Sequence, residues 1–333
     1  MAAIVVDALS KSYRVRAPDA HRTVTRWLRP VLTREVAAVR EVSFKIEPGE
    51  RVAFIGPNGA GKSTTLKMLT GILEPTSGTA TVAGFVPWQQ RRLLARRLGI
   101  VFGQRSQLWY HLPVRDSFDL LSRIYSIDSR TYAARLAKLS AAFDIGSFLE
   151  RPVSELSLGQ RIRCEIVAAL LHAPEILLLD EPTIGLDVTS KSALREHLSE
   201  ISRSAGTTVL LTSHDTGDIE EICDRVIVID QGRLLLDEPL EQLRRQFLRS
   251  RSIVLVTAEE HPTLVLAGTR VIASEPFRLT LSVDVAATGV DQVVAAAFRT
   301  LTVRDLIIEQ RPLEDIVKAI YRGESHNRPV QEK

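Results

Sequence analysis

The residues best suited to chemistry form one nonapeptide, GPNGAGKST: Gly56, Pro57, Asn58, Gly59, Ala60, Gly61, Lys62, Ser63 and Thr64. Glycines at this density let a backbone bend tightly and turn several N–H groups toward one point, which suits an anion. The apolar run RVAFI precedes the turn, so it joins a buried strand to a helix whose N-terminus adds partial positive charge. The spacing is that of a phosphate-binding loop, G-x-x-x-x-G-K-[ST]. Lys62 would reach the β- and γ-phosphates of a nucleotide as a point charge, and the Ser63 hydroxyl would ligate Mg²⁺.

A second apolar run, ILLLDEP, ends in two carboxylates. Asp180, at the strand's end, could hold Mg²⁺ through water, and Glu181, one residue on, could polarise an attacking water as general base. Alone, such a pair usually marks a loop boundary; beside a phosphate loop it becomes catalytic. A further stretch, LSLGQ, precedes the helical run RIRCEIVAALLHA. Ser157, the Gly159 amide and the helix N-terminus form a second anion site, although Ser157 could equally serve only to cap the helix. His214, in SHD, follows the apolar run TTVLLTS; a lone histidine there is ordinarily structural.

These residues need elements to hold them. Up to about residue 240 short runs such as VSFKI, RVAFIG, EILLLD, TTVLLTS and RVIVID are nearly continuously apolar, the pattern of strands buried on both faces of a mainly parallel α/β sheet. Between about 105 and 170 apolar residues recur every three or four positions, predicting a helical insertion. After about residue 250, IVLVT, RLTLSVD and TVRDLIIEQ read as strands. A helix between them places Val290, Val293, Val294 and Phe298 on one face, and another starts at Pro312 with Leu313, Ile316, Val317 and Ile320 inward. The expected organisation is an α/β domain over 1–245, a small α+β domain over 250–323 that regulates or dimerises, and a polar tail over 324–333. Residues 16–38 read as an insertion in which Val24, Trp27, Leu28, Val31 and Leu32 alternate with arginines as a basic amphipathic segment, kinked at Pro30.

Composition excludes several classes. The chain has 333 residues, with 43 basic against 40 acidic and a net charge of +3, too little for bulk electrostatic binding of nucleic acid. Its two cysteines, Cys164 and Cys223, lie in apolar segments without metal-ligand or disulfide spacing and read as buried thiols. The N-terminus reads as a strand, and no run reaches the ~18 apolar residues of a membrane helix, so any membrane span would come from another chain.

Taken together and in this order, GPNGAGKST, LSLGQ, ILLLDEP and SHD resemble the ATP-binding cassette (ABC) ATPases over about residues 4–240. The resemblance implies the P-loop NTPase ABC ATPase fold, with a mainly parallel core, an antiparallel β subdomain and a helical subdomain. It implies ATP and Mg²⁺ as cofactors, and two cassettes, a homodimer or a pair with a second cassette, set head to tail so that LSLGQ of one covers the γ-phosphate held by the other. Tyr13 matches the aromatic residue that stacks on adenine. Gln104 matches the glutamine that senses Mg²⁺, with Gln107 a nearby rival across the extra Gly103. His214 matches the histidine that contacts the γ-phosphate, and Gly185, Leu186 and Asp187 match the loop that crosses the dimer between nucleotides. Ser157, Gly159 and Gln160 keep the phosphate-facing positions of the signature, whose commonest form has glycine where Leu158 stands. The implied role is the ATPase of a transporter whose permease, of ABC-2 type, is a separate chain. Trp109 and Tyr110 would offer that permease a socket, or else pack in the core. The chain would be cytoplasmic and peripheral on the inner membrane face, binding no nucleic acid. The insertion at 16–38 resembles that of ABC-2-type exporter ATPases, for polysaccharides as for drugs or viologens, while the stretch VFGQRSQLWYHLPVRDSF and the C-terminal region resemble the drug or viologen group more. A soluble ABC ATPase acting on DNA or ribosomes is the remaining alternative.

Overall fold

The structure, a computed structural model, describes residues 2–16, 33–103, 106–247, 250–285 and 287–310, together with residues 313, 316, 320 and 321. It divides into two compact units, Met1–Glu238 and Pro239–Lys333.

In the first unit, β1 (Ile4–Arg16), β2 (Thr33–Ile46) and β4 (Ser77–Val82) form an antiparallel sheet in the order β2-β1-β4. The second sheet contains β3 (Arg51–Ile55), β5 (Leu98–Phe102), β6 (Ile176–Asp180), β7 (Thr208–Thr212), β8 (Arg225–Asp230) and β9 (Arg233–Pro239), in the order β5-β6-β7-β3-β8-β9. The pairs from β5 through β8 are parallel. The apolar runs explain this: every residue of β7 is buried, as is all of β6 up to Asp180, and Ile176, Leu178 and Leu210 pack in one cluster with residues of the antiparallel sheet such as Ile4, Phe44 and Val82 and with Leu66 and Leu69 from the segment 62–69. Parallel strands bring their C-terminal ends to one edge, and the loops carrying GPNGAGKST, Asp180–Glu181 and His214 leave from that edge.

Helices α1 (Lys62–Leu69), α2 (Arg91–Leu94), α3 (Val114–Ile124), α4 (Ser129–Ala142), α5 (Leu158–Leu170), α6 (Val188–Ala205) and α7 (Thr216–Ile222) complete the unit. The interval expected to be helical holds α3, α4 and α5. Val114, Phe118 and Leu121 of α3 are buried at helical spacing, and the Asp128 carboxylate caps α4 by accepting the Thr131 N–H at 2.9 Å. Cys164 and Cys223 are buried thiols; burial pushes Cys164 up to about 12 and Cys223 upward as well.

One boundary is corrected. Residues 33–38, expected inside the insertion, are part of β2: Ser12 pairs with Ala37, Tyr13 with Val36 and Arg16 with Thr33. β1 continues to Arg16 and offers an edge that this stretch takes up, since backbone pairing outweighs the side-chain pattern. Val24, Trp27, Leu28, Pro30, Val31 and Leu32 lie outside the described residues.

The second unit holds α8 (Leu240–Phe247), β10 (Ser250–Thr257), β11 (Thr269–Glu275), β12 (Arg278–Asp284), α9 (Val290–Thr300) and β13 (Val303–Gln310). Its antiparallel sheet runs β11-β12-β10-β13, with Ile253 opposite both Leu281 and Ile308. Val293 and Ala297 of α9 join a buried cluster with Ile253, Leu255, Leu279, Leu281 and Val283. Phe298, expected on the same face, is exposed: it lies about 100° around the helix from Ala297, beyond the edge of the stripe. β11 escaped the sequence reading because most of its residues are exposed and its register is set by β12 alone. Leu313, Ile316 and Ile320 are helical and buried, whereas Pro312, Val317 and the tail at 324–333 lie outside the described residues. Among the described residues no helix is long and apolar enough to cross a membrane.

Candidate nucleotide site

The phosphate loop is defined by what its glycines touch. A Cβ on Gly56 would stand 2.3 Å from the Ile229 carbonyl oxygen, and one on Gly61 2.5 Å from that of Ala38. The loop is thus wedged between β2 and β8, and no other residue fits. Gly61 also begins α1 at φ 108°, a left-handed conformation that turns the chain into the helix. The turn after β8 braces the loop, Gly232 donating its N–H to Ala60 O at 3.0 Å. The first amides of α1 have no acceptor within the helix and so suit an anion.

Lys62 is buried against this loop, its Nζ donating to Gly56 O at 2.5 Å and to Pro57 O at 3.3 Å. Burial lowers its pKa, and the charges of Glu181 and Asp180 oppose that shift, which places the ammonium and both carboxylates in one electrostatic neighbourhood.

Asp180 closes β6, and the Thr212 hydroxyl at the end of β7 donates to its Oδ1 at 2.6 Å. Glu181 then leaves the sheet through a left-handed residue, φ 53°, held by its N–H to Thr212 O at 3.0 Å and Oγ1 at 3.1 Å. The Glu181 carboxylate meets His214: Nδ1–H donates to Oε2 at 2.7 Å. This bond assigns the proton to Nδ1 and leaves Glu181 Oε1 as the second acceptor.

A buried residue unread in the sequence braces both flanks. Asp218 accepts hydrogen bonds from Thr183 Oγ1 at 2.5 Å, Ser213 Oγ at 2.6 Å and Arg195 Nε at 2.7 Å. It ties the chain after Glu181 to the chain before His214. Its signal was an acid at an inward position of the amphipathic run TGDIEEI.

LSLGQ sits elsewhere. Ser157 caps α5, accepting the Gln160 N–H at 3.3 Å, while Gln160 Oε1 accepts the Ser157 N–H at 3.0 Å, a complete capping box. Leu158 lies against the loop after Glu181: its Cδ2 is 3.0 Å from where a Gly185 Cβ would stand. A Cβ on Gly159 would stand 3.0 Å from Ser190 Oγ. Asp187 caps α6, accepting from Ser190 N at 2.9 Å and Oγ at 2.7 Å, bonds that hold its carboxyl below the usual range. The structure therefore unites Gly56–Thr64, Asp180, Glu181 and His214. It joins LSLGQ to residues 185–190, and among the described residues no hydrogen bond links LSLGQ to the phosphate loop.

Tyr13 lies in β1 with its ring partly exposed and Lys11 Nζ 5.7 Å from the ring centroid. Gln104 lies outside the described residues. Gln107 is committed elsewhere, its side-chain amide donating to Glu165 O at 2.9 Å. Gly103 packs backbone to backbone, donating to Asp180 O at 2.9 Å, and a Cβ there would stand 2.8 Å from Glu181 O. Trp109 and Tyr110 are exposed rather than core residues.

Mg²⁺ takes few protein oxygens and completes its shell from phosphates and water. The Ser63 hydroxyl and the Asp180 carboxylate, its plane fixed by Thr212, are hard oxygen donors of that kind. Among the described residues no cluster of three His, Cys, Asp or Glu is placed to hold a metal.

Known proteins bear directly on this geometry. The ABC transporter family pattern matches residues 39–184. The ABC transporter ATP-binding protein NatA of Bacillus subtilis is 38% identical over 208 residues, 62% of this chain and 84% of that protein. The Nod factor export ATP-binding protein I of Rhizobium etli is 32% identical over 232 residues, 70% and 73% of the two chains. A dimeric structure of the ATP-binding cassette MJ0796 bound to ADP and Pi superposes with TM-score 0.59 at 24% identity, covering 71% of this chain and 98% of that one, a likeness of fold. With a phosphate loop, a carboxylate pair and a histidine converging at one sheet edge, and relatives of this closeness, the chain belongs to the ABC transporter family as an ATP-hydrolysing, ATP-binding subunit.

Proposed function

We propose that two copies of this chain close head to tail around two ATP–Mg²⁺ and drive export through separate permease subunits of ABC-2 type, on the cytoplasmic face of a membrane. The observation that carries this reading is the separation of two half-sites. The phosphate loop, Asp180, Glu181 and His214 converge at one edge, while the capped N-terminus of α5 presents Ser157 and Gly159 without a hydrogen bond to them. Each half is an anion site that a second molecule can complete. The dimeric cassette holding ADP and Pi supports the pairing, and the Nod factor export relative supports the direction.

On this reading the loop amides and Lys62 hold the phosphates. Ser63 and Asp180 hold Mg²⁺, which when bound offsets phosphate charge. Glu181 accepts the proton of the attacking water through Oε1, while His214 fixes Oε2. Ser157 of the partner covers the γ-phosphate, and Tyr13 stacks on the base.

The test is Glu181→Gln, which keeps an oxygen acceptor for His214 but loses basicity. Turnover should fall on the order of 10²- to 10⁴-fold. Size-exclusion chromatography should show a dimer with ATP and a monomer with ADP. A variant that binds ATP and stays monomeric would overturn the proposed pairing.

A further inference from the structure

Glu165 is the buried carboxylate of α5, two turns beyond the LSLGQ cap, in a stretch where Ile162, Cys164, Ile166 and Val167 are also buried. A charge in such surroundings is costly unless several donors face it. The donors come from one place, the chain between β5 and α3. The Ser106 hydroxyl donates to Oε1, the Gln107 N–H to Oε2 at 3.1 Å, and the Gln107 side-chain amide to the Glu165 carbonyl at 2.9 Å. Leu108 N–H donates to Ser106 Oγ at 3.1 Å, holding that hydroxyl in place; desolvation raises the Glu165 carboxyl pKa, opposed by these bonds and by the charge of Arg161 one turn back. The segment then anchors to α3, Trp109 N–H donating to Ser117 Oγ at 3.1 Å.

The other end of this connection is fixed too. Gly103 donates to Asp180 O, against the catalytic carboxylates. Only three peptide steps, at most about 11 Å of chain, separate Gly103 from Ser106. One end is therefore fastened to the residues that meet Mg²⁺ and water, and the other to the helix whose N-terminus is LSLGQ.

We propose that Glu165 is a positioning residue for ATP hydrolysis: it fastens the strap from Asp180 to the signature helix, so that the height and tilt of Ser157 follow the catalytic edge. This rests on the reading of LSLGQ as the surface that completes a partner's site. Glu165 touches no nucleotide, so its removal should leave ATP binding to the phosphate loop intact and slow the step that needs LSLGQ placed.

The experiment uses the full chain with Glu165→Ala, Glu165→Gln, Ser106→Ala and the Ser106→Ala/Glu165→Ala double variant. Ser106 is exposed, so its variant keeps the test usable should Glu165→Ala fold poorly. ATP affinity should stay within about twofold while kcat falls about tenfold in Glu165→Ala, less in Glu165→Gln, and no further in the double variant, because the lesions share one contact. Unchanged kcat in Glu165→Gln and Ser106→Ala, or additive losses in the double variant, would overturn the proposal. So would kcat and affinity falling together with thermal stability, which is the pattern of a structural charge alone. Ser157→Arg separates the two readings. If it leaves turnover intact, the signature reading fails; if it abolishes turnover while the Glu165 variants stay active, only the tether fails.

Discussion

Mixing two inactive variants gives the sharpest test of paired half-sites. Ser157→Arg removes a cap that accepts one N–H at 3.3 Å, costing about 1 kcal/mol. It also puts a cation at a helix N-terminus, costing up to about 1 kcal/mol more. Both are small against the roughly 5–15 kcal/mol of a folded domain, so the variant folds with its phosphate loop untouched. Lys62→Ala removes charge-assisted bonds to phosphate worth about 1.5–3 kcal/mol, weakening ATP on the order of 10- to 150-fold. Each homodimer carries its lesion in both sites. In a mixed dimer both lesions fall in one site, leaving the other with a native Lys62 and a native Ser157. Equal mixing puts about half of all dimers in that form, each with one working site, so turnover should recover to about a quarter of wild type. The assay is phosphate release at ATP close to the wild-type Kd, where the weakened Lys62→Ala site stays largely empty, as the mixing ratio is varied, with a maximum at equal parts. A mixture never faster than the average of its two parents would refute the reasoning.

Two other substitutions test particular contacts. Gly103→Ala forces a Cβ within 2.8 Å of Glu181 O and 2.9 Å of Asp180 O, displacing both carboxylates. Its kcat should fall on the order of tenfold to a hundredfold with ATP affinity nearly unchanged, as titration beside steady-state rates would show. His172 stacks on Tyr125 at 3.9 Å, its Nε2–H donates to Leu98 O at 2.9 Å, and burial pushes its pKa down to about 4. Because the folded value is depressed, the stability it contributes is present above its unfolded pKa of about 6.5 and lost as pH falls toward 4, on the order of 3 kcal/mol at most. Urea midpoints at pH 7 and pH 4.5 should differ less in His172→Phe than in wild type; equal differences would place the acid sensitivity elsewhere.

The sheet edge where the proposed catalytic residues meet was legible because they sit where continuous apolar runs stop. Lys62, Asp180, Glu181 and His214 each follow such a run, and parallel strands must end together. Residues that act through others gave weaker signals. Glu165 and Asp218 are acids within amphipathic helices, and only the fold reveals that Ser106, Gln107, Thr183 and Ser213 converge on them. Leu158 was unreadable because its neighbour Gly185 lies across a turn of another segment. The misplaced end of the insertion and the exposed Phe298 share a cause: periodicity in sequence reports which faces are apolar, and neither where a hairpin stops pairing nor how wide a helical stripe is.

The left-handed backbone at Glu181 sets fitness against durability. Its φ of 53° suits glycine or asparagine better than a glutamate, and Thr212 holds the residue there through two acceptors on one N–H. Selection for stability alone would replace this side chain, and any such replacement would discard the carboxylate that His214 orients. On the role proposed for Glu181 as general base, variants of this chain recovered for heat resistance should be screened at position 181 first, since a gain in stability there would come with lost turnover.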